Sequence, residues 1–307
     1  MKKIYVDLSC DKVSGQQIMQ RKFKDYCEEC GILSEKEDAD ILVFVQVPPS
    51  QDVEEWQKLK QQGKKIVFIH HYLVKELTDI VAIFKIPNLL ELVDLHIIMS
   101  RYGDILSELT KRGIDDRKIR IIEQAGVDRD KIEHRFFHRS RNAKTICFVG
   151  RARKGLDKFV ELTKDLKDWH RSIFCPDVHK YEGDLTGYHT FTNLTGFDLF
   201  DVISRHMFLY SPYIYKQPYM HLETSIHEAV HCGTTVIVDD EFEEVVPDFR
   251  HHGFVGKEEF LKMTESQNQL RAIECSDFLY ENFKSAEEIM HENLLEIQSY
   301  FRREEIS

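Results

Sequence analysis

The stretch LETSIHEAVHCGTTVIVDD, Leu222–Asp240, decides the fold. Ser225–Cys232 carries Ile226, Ala229 and Val230 at helical spacing, Gly233 ends it, and Thr235–Val238 is a short β-branched run. A helix that passes through one glycine into a fully apolar strand is half of a βαβ unit, whose strand is covered on both faces. Ser225 and Glu228 have the capping-box spacing that would mark the helix start.

The same alternation runs outward through the chain. Strands are expected at Lys3–Leu8, Ala39–Val47, Lys65–Ile69, Leu95–Met99 and Arg120–Glu123, separated by helices such as Gln16–Cys30 and Asp52–Gln62. The pattern restarts at Lys144–Val149 and continues through Arg171–Cys175, His189–Thr192 and Met207–Tyr210. From about Ser285 the chain is helical and charged. Such alternation implies parallel sheets with helices on both faces, an α/β class, and 307 residues suffice for two domains. The expected division is 1–140, 141–285, and a C-terminal helix at 286–307 that crosses back to the first domain.

Composition narrows the function classes. With 42% hydrophobic and 31% charged residues, the chain can bury two cores. No apolar run approaches the roughly 20 residues that span a bilayer, and the start MKKIYVDLSCD reads as a strand rather than a signal peptide. A cytoplasmic protein without integral membrane contact is expected. Seven scattered cysteines suggest no disulfide framework, and Cys27–Cys30 is a lone CxxC with no second pair to complete a zinc site. A net charge of −11 argues against indiscriminate nucleic-acid binding. Locally, however, Arg129 to Lys154 is basic, either a surface for a polyanion or a solvated connector.

In parallel α/β sheets, ligands bind beyond the carboxyl ends of the strands. That rule singles out Ser9 to Gly15, Val47–Pro48, His70–His71, Ser100 and Gln124 to Asp128. Gly15, near the first helix start, permits close backbone approach. His70, at a strand end, is either a site residue or a satisfied buried histidine. His227-Glu228-Ala229-Val230-His231 matches HExxH, a zinc-peptidase motif, but Gly233 closes the helix directly and no third ligand follows at a familiar spacing.

The Leu222–Asp240 stretch resembles the nucleotide-sugar signature of retaining glycosyltransferases of the GT-B fold. So do FVGRARKG (Phe148–Gly155), DLHIIMSRYGD (Asp94–Asp104) and KIRIIEQAGVD (Lys118–Asp128). Met220 stands where that family usually has its upstream glutamate, and Glu223 is the nearest acid. The Glu223…Glu228…Cys-Gly-Thr arrangement is similar to that of the T-even phage DNA α-glucosyltransferases, as are DADILVFVQVP (Asp38–Pro48) and VFIHH (Val67–His71). Those phage enzymes carry a His-Asp pair where this chain has His70–His71.

The resemblance implies two Rossmann-like domains facing a central cleft. It implies transfer with retention from a nucleotide sugar, UDP-glucose, to a 5-hydroxymethylated pyrimidine in phage DNA. Glu228 would hold the donor ribose, a carboxylate accepting from two adjacent hydroxyls. Arg151, Lys154, Ser225 and Gly15 would contact donor groups, with Arg151 and Lys154 on the diphosphate. His70 and Glu223 would be catalytic, and no metal would be required. The basic Arg129 to Lys154 stretch would hold DNA while its base is turned out. A phage-encoded enzyme would act in the host cytoplasm. The alternatives are a glycosyltransferase for a cell-surface glycan, teichoic acid or lipid-linked acceptor, a zinc metallopeptidase using His227, Glu228 and His231, and a non-catalytic sugar-nucleotide sensor.

Overall fold

The structure is a computed structural model describing residues 1–8, 15–45, 53–70, 82–86, 88–98, 104–122, 126–212 and 222–304. The chain divides into two compact units, Met1–Ala125 with Lys284–Ser307, and Gly126–Phe283.

The first unit runs β1 (Ile4–Val6), α1 (Gly15–Glu29), β2 (Ile41–Phe44), α2 (Val53–Gln61), β3 (Lys65–His70), α3 (Ala82–Lys85), β4 (Leu95–Ile98), α4 (Asp104–Lys111) and β5 (Ile119–Ile121). Its strands are all parallel, in the order β1-β2-β3-β4-β5. Alternate residues of a strand point to opposite faces, which explains why its middle strands are apolar throughout. Ile41, Val43, Val67, Ile69 and Leu95 face one core with Phe23 and Cys27 of α1. Leu42, Phe44, Ile66 and Phe68 face the other, around Trp56, Leu59, Ile83 and Leu109.

The second unit runs α5 (Arg129–Phe136), β6 (Asn142–Val149), α6 (Leu156–Thr163), β7 (His170–Phe174), β8 (His189–Phe191), α7 (Gly196–Ile203), β9 (His206–Ser211), α8 (Thr224–His231), β10 (Thr235–Val238), β11 (Val255–Gly256) and α9 (Glu265–Asn282). The last helix, α10 (Ala286–Glu304), belongs to the first unit and inserts Ile289, Leu294, Ile297 and Phe301 beside α1. The second sheet is parallel too, ordered β11-β10-β9-β6-β7-β8. The chain moves outward from β6 to β8, then returns to the other side of β6 for β9. That reversal makes a topological switch point between β6 and β9.

Part of the basic stretch expected to be a polyanion surface or a connector is α5, and several of its cations are already engaged within the protein. Arg129 donates to the carbonyl oxygen of Phe283 and lies over Tyr280, 4.2 Å from the ring centre. Arg139 pairs with Asp201 at 2.5 Å, and Lys144 pairs with Asp168. Arg141 donates to the carbonyl oxygens of Phe137 and Cys232, both at 2.7 Å, joining the ends of α5 and α8. The negative ends of two helices thus answer a largely buried guanidinium. Of Arg135, Arg139 and Arg141, Arg135 alone is exposed.

Among the described residues no helix is long and apolar enough to cross a membrane. Cys27 is buried, and burial pushes its thiol up to about 12, which suits a core residue rather than a redox one.

Gly233 closes α8 at φ +72, and an added Cβ there would meet the Arg141 guanidinium and lie 2.5 Å from the Phe137 carbonyl oxygen. Gly233→Ala is therefore expected to destabilise the protein by about 3 kcal/mol, through left-handed strain and displacement of Arg141. Urea unfolding would measure it, and a loss below about 0.5 kcal/mol would contradict this account.

Candidate functional site

The switch point gathers the expected donor residues of the second unit. β6 leads into Gly150-Arg151, a short 3-10 turn spans Ala152–Lys154, and Gly155 at φ 92 turns the chain into α6. Few residues but glycine adopt that left-handed conformation without strain. Asp177, following β7, steadies the turn. It accepts the Ala152 N–H at 2.9 Å and lies 3.7 Å from the Arg151 guanidinium. Burial works to raise the Asp177 carboxyl, but these partners and the Cys175 thiol hold it below its ordinary value.

α8 begins on the other side of the switch point. Glu223 occupies its N-cap position and its backbone carbonyl accepts the Ile226 N–H at 2.9 Å, but no side chain caps this helix. Ser225 is thus the second helical residue, and the expected Ser225–Glu228 capping box gives way to a start at Thr224. Lys154 donates to a carboxylate oxygen of Glu223 at 2.7 Å. This contact ties the turn after β6 to the start of α8. Glu228 lies in the second turn and is half-buried, and Gly15 is the first residue of α1 in the other unit. His71, Met220 and the strand-end segments 9–14, 46–52, 71–81, 99–103 and 123–125 lie outside the described residues.

A second charged cluster, not among the residues expected from the sequence, lies at the same edge of the sheet. Asp239, directly after β10, is buried and accepts from Tyr210 at 2.5 Å, Lys158 at 3.0 Å and Lys257 at 3.1 Å. Burial tends to raise its carboxyl, yet the Tyr210 and lysine hydrogen bonds keep it below the ordinary range. The signal was present in VIVDD: an acid placed immediately after a buried strand falls under the same strand-end rule.

The HExxH histidines serve the interior. His231 contacts Glu133 of α5 through Nδ1 at 2.7 Å, and Glu133 also accepts from Ser276 and Tyr280 of α9. Burial works to raise Glu133, but these three partners bring it below its ordinary value. His227 is buried edge-on to Phe283, with ring centres 5.2 Å apart. Among the described residues no group of three or more His, Cys, Asp or Glu side chains converges as metal ligands.

In the first unit, His70 ends β3 fully buried, its Nε2 3.0 Å from Nδ1 of His96. Phe68 and Phe84 flank it, with ring centres at 4.8 and 5.8 Å. Burial, with the Lys118 charge adding, pushes His96 down to about 3.

No protein-family model matches the chain. No curated protein sequence matches it either. Among solved structures, an α-glucosyltransferase in complex with UDP and a 13-mer DNA containing a HMU base is similar, with a TM-score of 0.72 and 12% identity. That likeness covers 95% of this chain and 97% of the other. The fold is GT-B. Anabaena Alr3699/HepE in complex with UDP and glucose shares this GT-B fold at a TM-score of 0.64 and 10% identity, over 97% and 100% of the two chains. The GT-B enzyme trehalose-6-phosphate synthase, OtsA, is similar at 0.59 and 12% identity, over 92% and 76%.

His96 yields a pH prediction. Its folded-state pKa lies below the ordinary 6.5, so the unfolded chain takes up the proton first as pH falls. Its contribution to stability is complete above pH 6.5 and is lost as pH falls towards 3. His96→Gln should flatten the stability-against-pH curve in that window by up to about 1.4 kcal/mol per pH unit. Urea midpoints from pH 3 to 7 would report the slope, and an unchanged slope would show that His96 is already charged in the folded protein.

Proposed function

We propose that this chain is a retaining glycosyltransferase that transfers glucose from UDP-glucose to a 5-hydroxymethylated pyrimidine in DNA. The observation that carries the reading is the Lys154–Glu223 contact, which brings the cationic turn after β6 to the start of α8 at the switch point. The fold supports it, since GT-B structures similar to this one are in complex with UDP, with glucose, and with DNA containing a HMU base.

In this reading Arg151 and Lys154 neutralise the diphosphate, whose charge grows as it leaves. The backbone N–H groups of Thr224 and Ser225 add the positive end of a helix dipole. Glu228 accepts hydrogen bonds from the ribose hydroxyls, and Glu223 from a sugar hydroxyl. The bond from the anomeric carbon to the diphosphate oxygen breaks, and the acceptor oxygen bonds to that carbon on the same face. The acceptor proton passes to the departing phosphate oxygen, so charge balances without an added base or metal. Full burial of His70 favours a role in holding the end of β3 over contact with the sugar. Gly15, opening α1, would let backbone approach a ligand.

Nucleosides from hydroxymethylated DNA incubated with the chain and UDP-glucose should gain the mass of one hexose on the modified base, and unmodified DNA should gain nothing. Arg151→Ala and Glu228→Ala should each weaken UDP-glucose binding about tenfold or more. Binding of UDP-glucose without transfer to DNA would favour a cell-surface or lipid-linked acceptor, and no binding at all would defeat the reading.

Arg135 is the proposed DNA contact, exposed beside Phe197 with its guanidinium 5.2 Å from that ring centre. Arg135→Glu should lower DNA affinity and reduce the salt slope of binding by about one. An unchanged slope would move the contact elsewhere. Arg139 and Arg141 are poor choices for this test, because their loss would disturb the fold.

A further inference from the structure

The Lys154–Glu223 pair joins two groups that the donor reading assigns to different parts of one molecule, the diphosphate and the sugar. The side chains are 32% and 25% exposed, so a ligand can reach both. Glu223 stands where a side chain ordinarily caps the helix, yet it makes no cap hydrogen bond, and its carboxylate goes to Lys154. A lysine ammonium has three protons, so Lys154 can keep Glu223 and still donate to a phosphate oxygen.

We propose that Glu223 is a counter-charge that makes the site prefer the intact nucleotide sugar over the nucleoside diphosphate released from it. This rests on the donor reading above. The carboxylate stays beside Lys154 and therefore close to any phosphate that Lys154 holds, and like charges so placed repel. With the sugar attached, a sugar hydroxyl donates to Glu223 and offsets the repulsion. Once the sugar has been transferred, UDP faces the carboxylate with nothing in between. Glu223 thus loosens the product while leaving the donor bound, which matters where product release limits turnover. Binding that holds donor and product alike would slow that release.

The test compares UDP with UDP-glucose by calorimetry on the full chain and on Glu223→Gln. Glutamine keeps the shape, and no cap hydrogen bond is lost, so the fold should survive; a thermal melt checks this. The expected result is UDP binding about tenfold tighter in the variant, a smaller gain for UDP-glucose, and both gains shrinking as salt is raised. Lys154→Met should move UDP affinity the opposite way. UDP binding that is unchanged or weaker in Glu223→Gln would overturn the inference, because a purely structural tie can only loosen the site when cut. Failure of the unaltered chain to bind UDP would instead defeat the donor reading, and this inference with it.

Discussion

Everything at the candidate site depends on the place of β6 in a parallel sheet. With all six strands running the same way, every strand of the second unit delivers its following residue to one edge. The chain fills one side of β6 first and only then crosses to β9, so consecutive connections leave β6 in opposite directions. Helices cannot cover the edge where connections part, and a ligand can enter there. Arg151 and Lys154 follow β6 itself, and Glu223 ends the connection that follows β9. Their meeting is a consequence of strand order before it is a consequence of side-chain chemistry.

The same unit must accommodate charge inside its layers, and it does so by local means. Arg141 sits among carbonyls at the ends of α5 and α8, where Gly233 leaves room for it. Arg171 is buried in the same manner, donating to the carbonyls of Thr163 and Gly187 and lying 4.2 Å from the Tyr188 ring centre. A buried cation without such partners would cost several kcal/mol. Asp239 is the mirror case, an acid held by two lysines and a tyrosine. Each of these three charges is held by groups of the fold, and the contrast lies with Lys154 and Glu223, whose pair remains partly open to solvent.

The sequence made the alternation legible because buried parallel strands are apolar on both faces. Thr235–Val238 is observed over the expected residues, and Lys65–Ile69 differs from the observed strand only by His70. The helix start at Glu223 was not legible. Ser225 and Glu228 have the right spacing for a capping box, but spacing cannot say that Glu223 will already hold the N-cap position. HExxH is ambiguous in a similar way, since two histidines on one helix face can bind a metal or pack inward. In the structure His231 meets Glu133, 98 residues away, a partner no local pattern points to. Arg139 and Arg141 looked like a polyanion surface because charge is visible in sequence, whereas Asp201 and the Cys232 carbonyl are neighbours only in space. α7 and α9 are not expected from the sequence, the latter because exposed Leu270 and Ile273 blur its apolar stripe.

These cases share a physical cause. A residue's chemical type fixes what it can donate, accept or neutralise, but its role depends on which groups the fold leaves unanswered near it. His231, Arg141 and Asp239 are all capable of binding a ligand, and each is instead engaged by groups of the protein. Lys154 and Glu223 answer each other as well, but at the edge of the sheet and within reach of solvent. There a second partner can be added without stripping the first, since an ammonium has protons and a carboxylate has lone pairs to spare. That distinction, between charge completed inside the fold and charge completed at its open edge, sets the candidate site apart from the structural pairs.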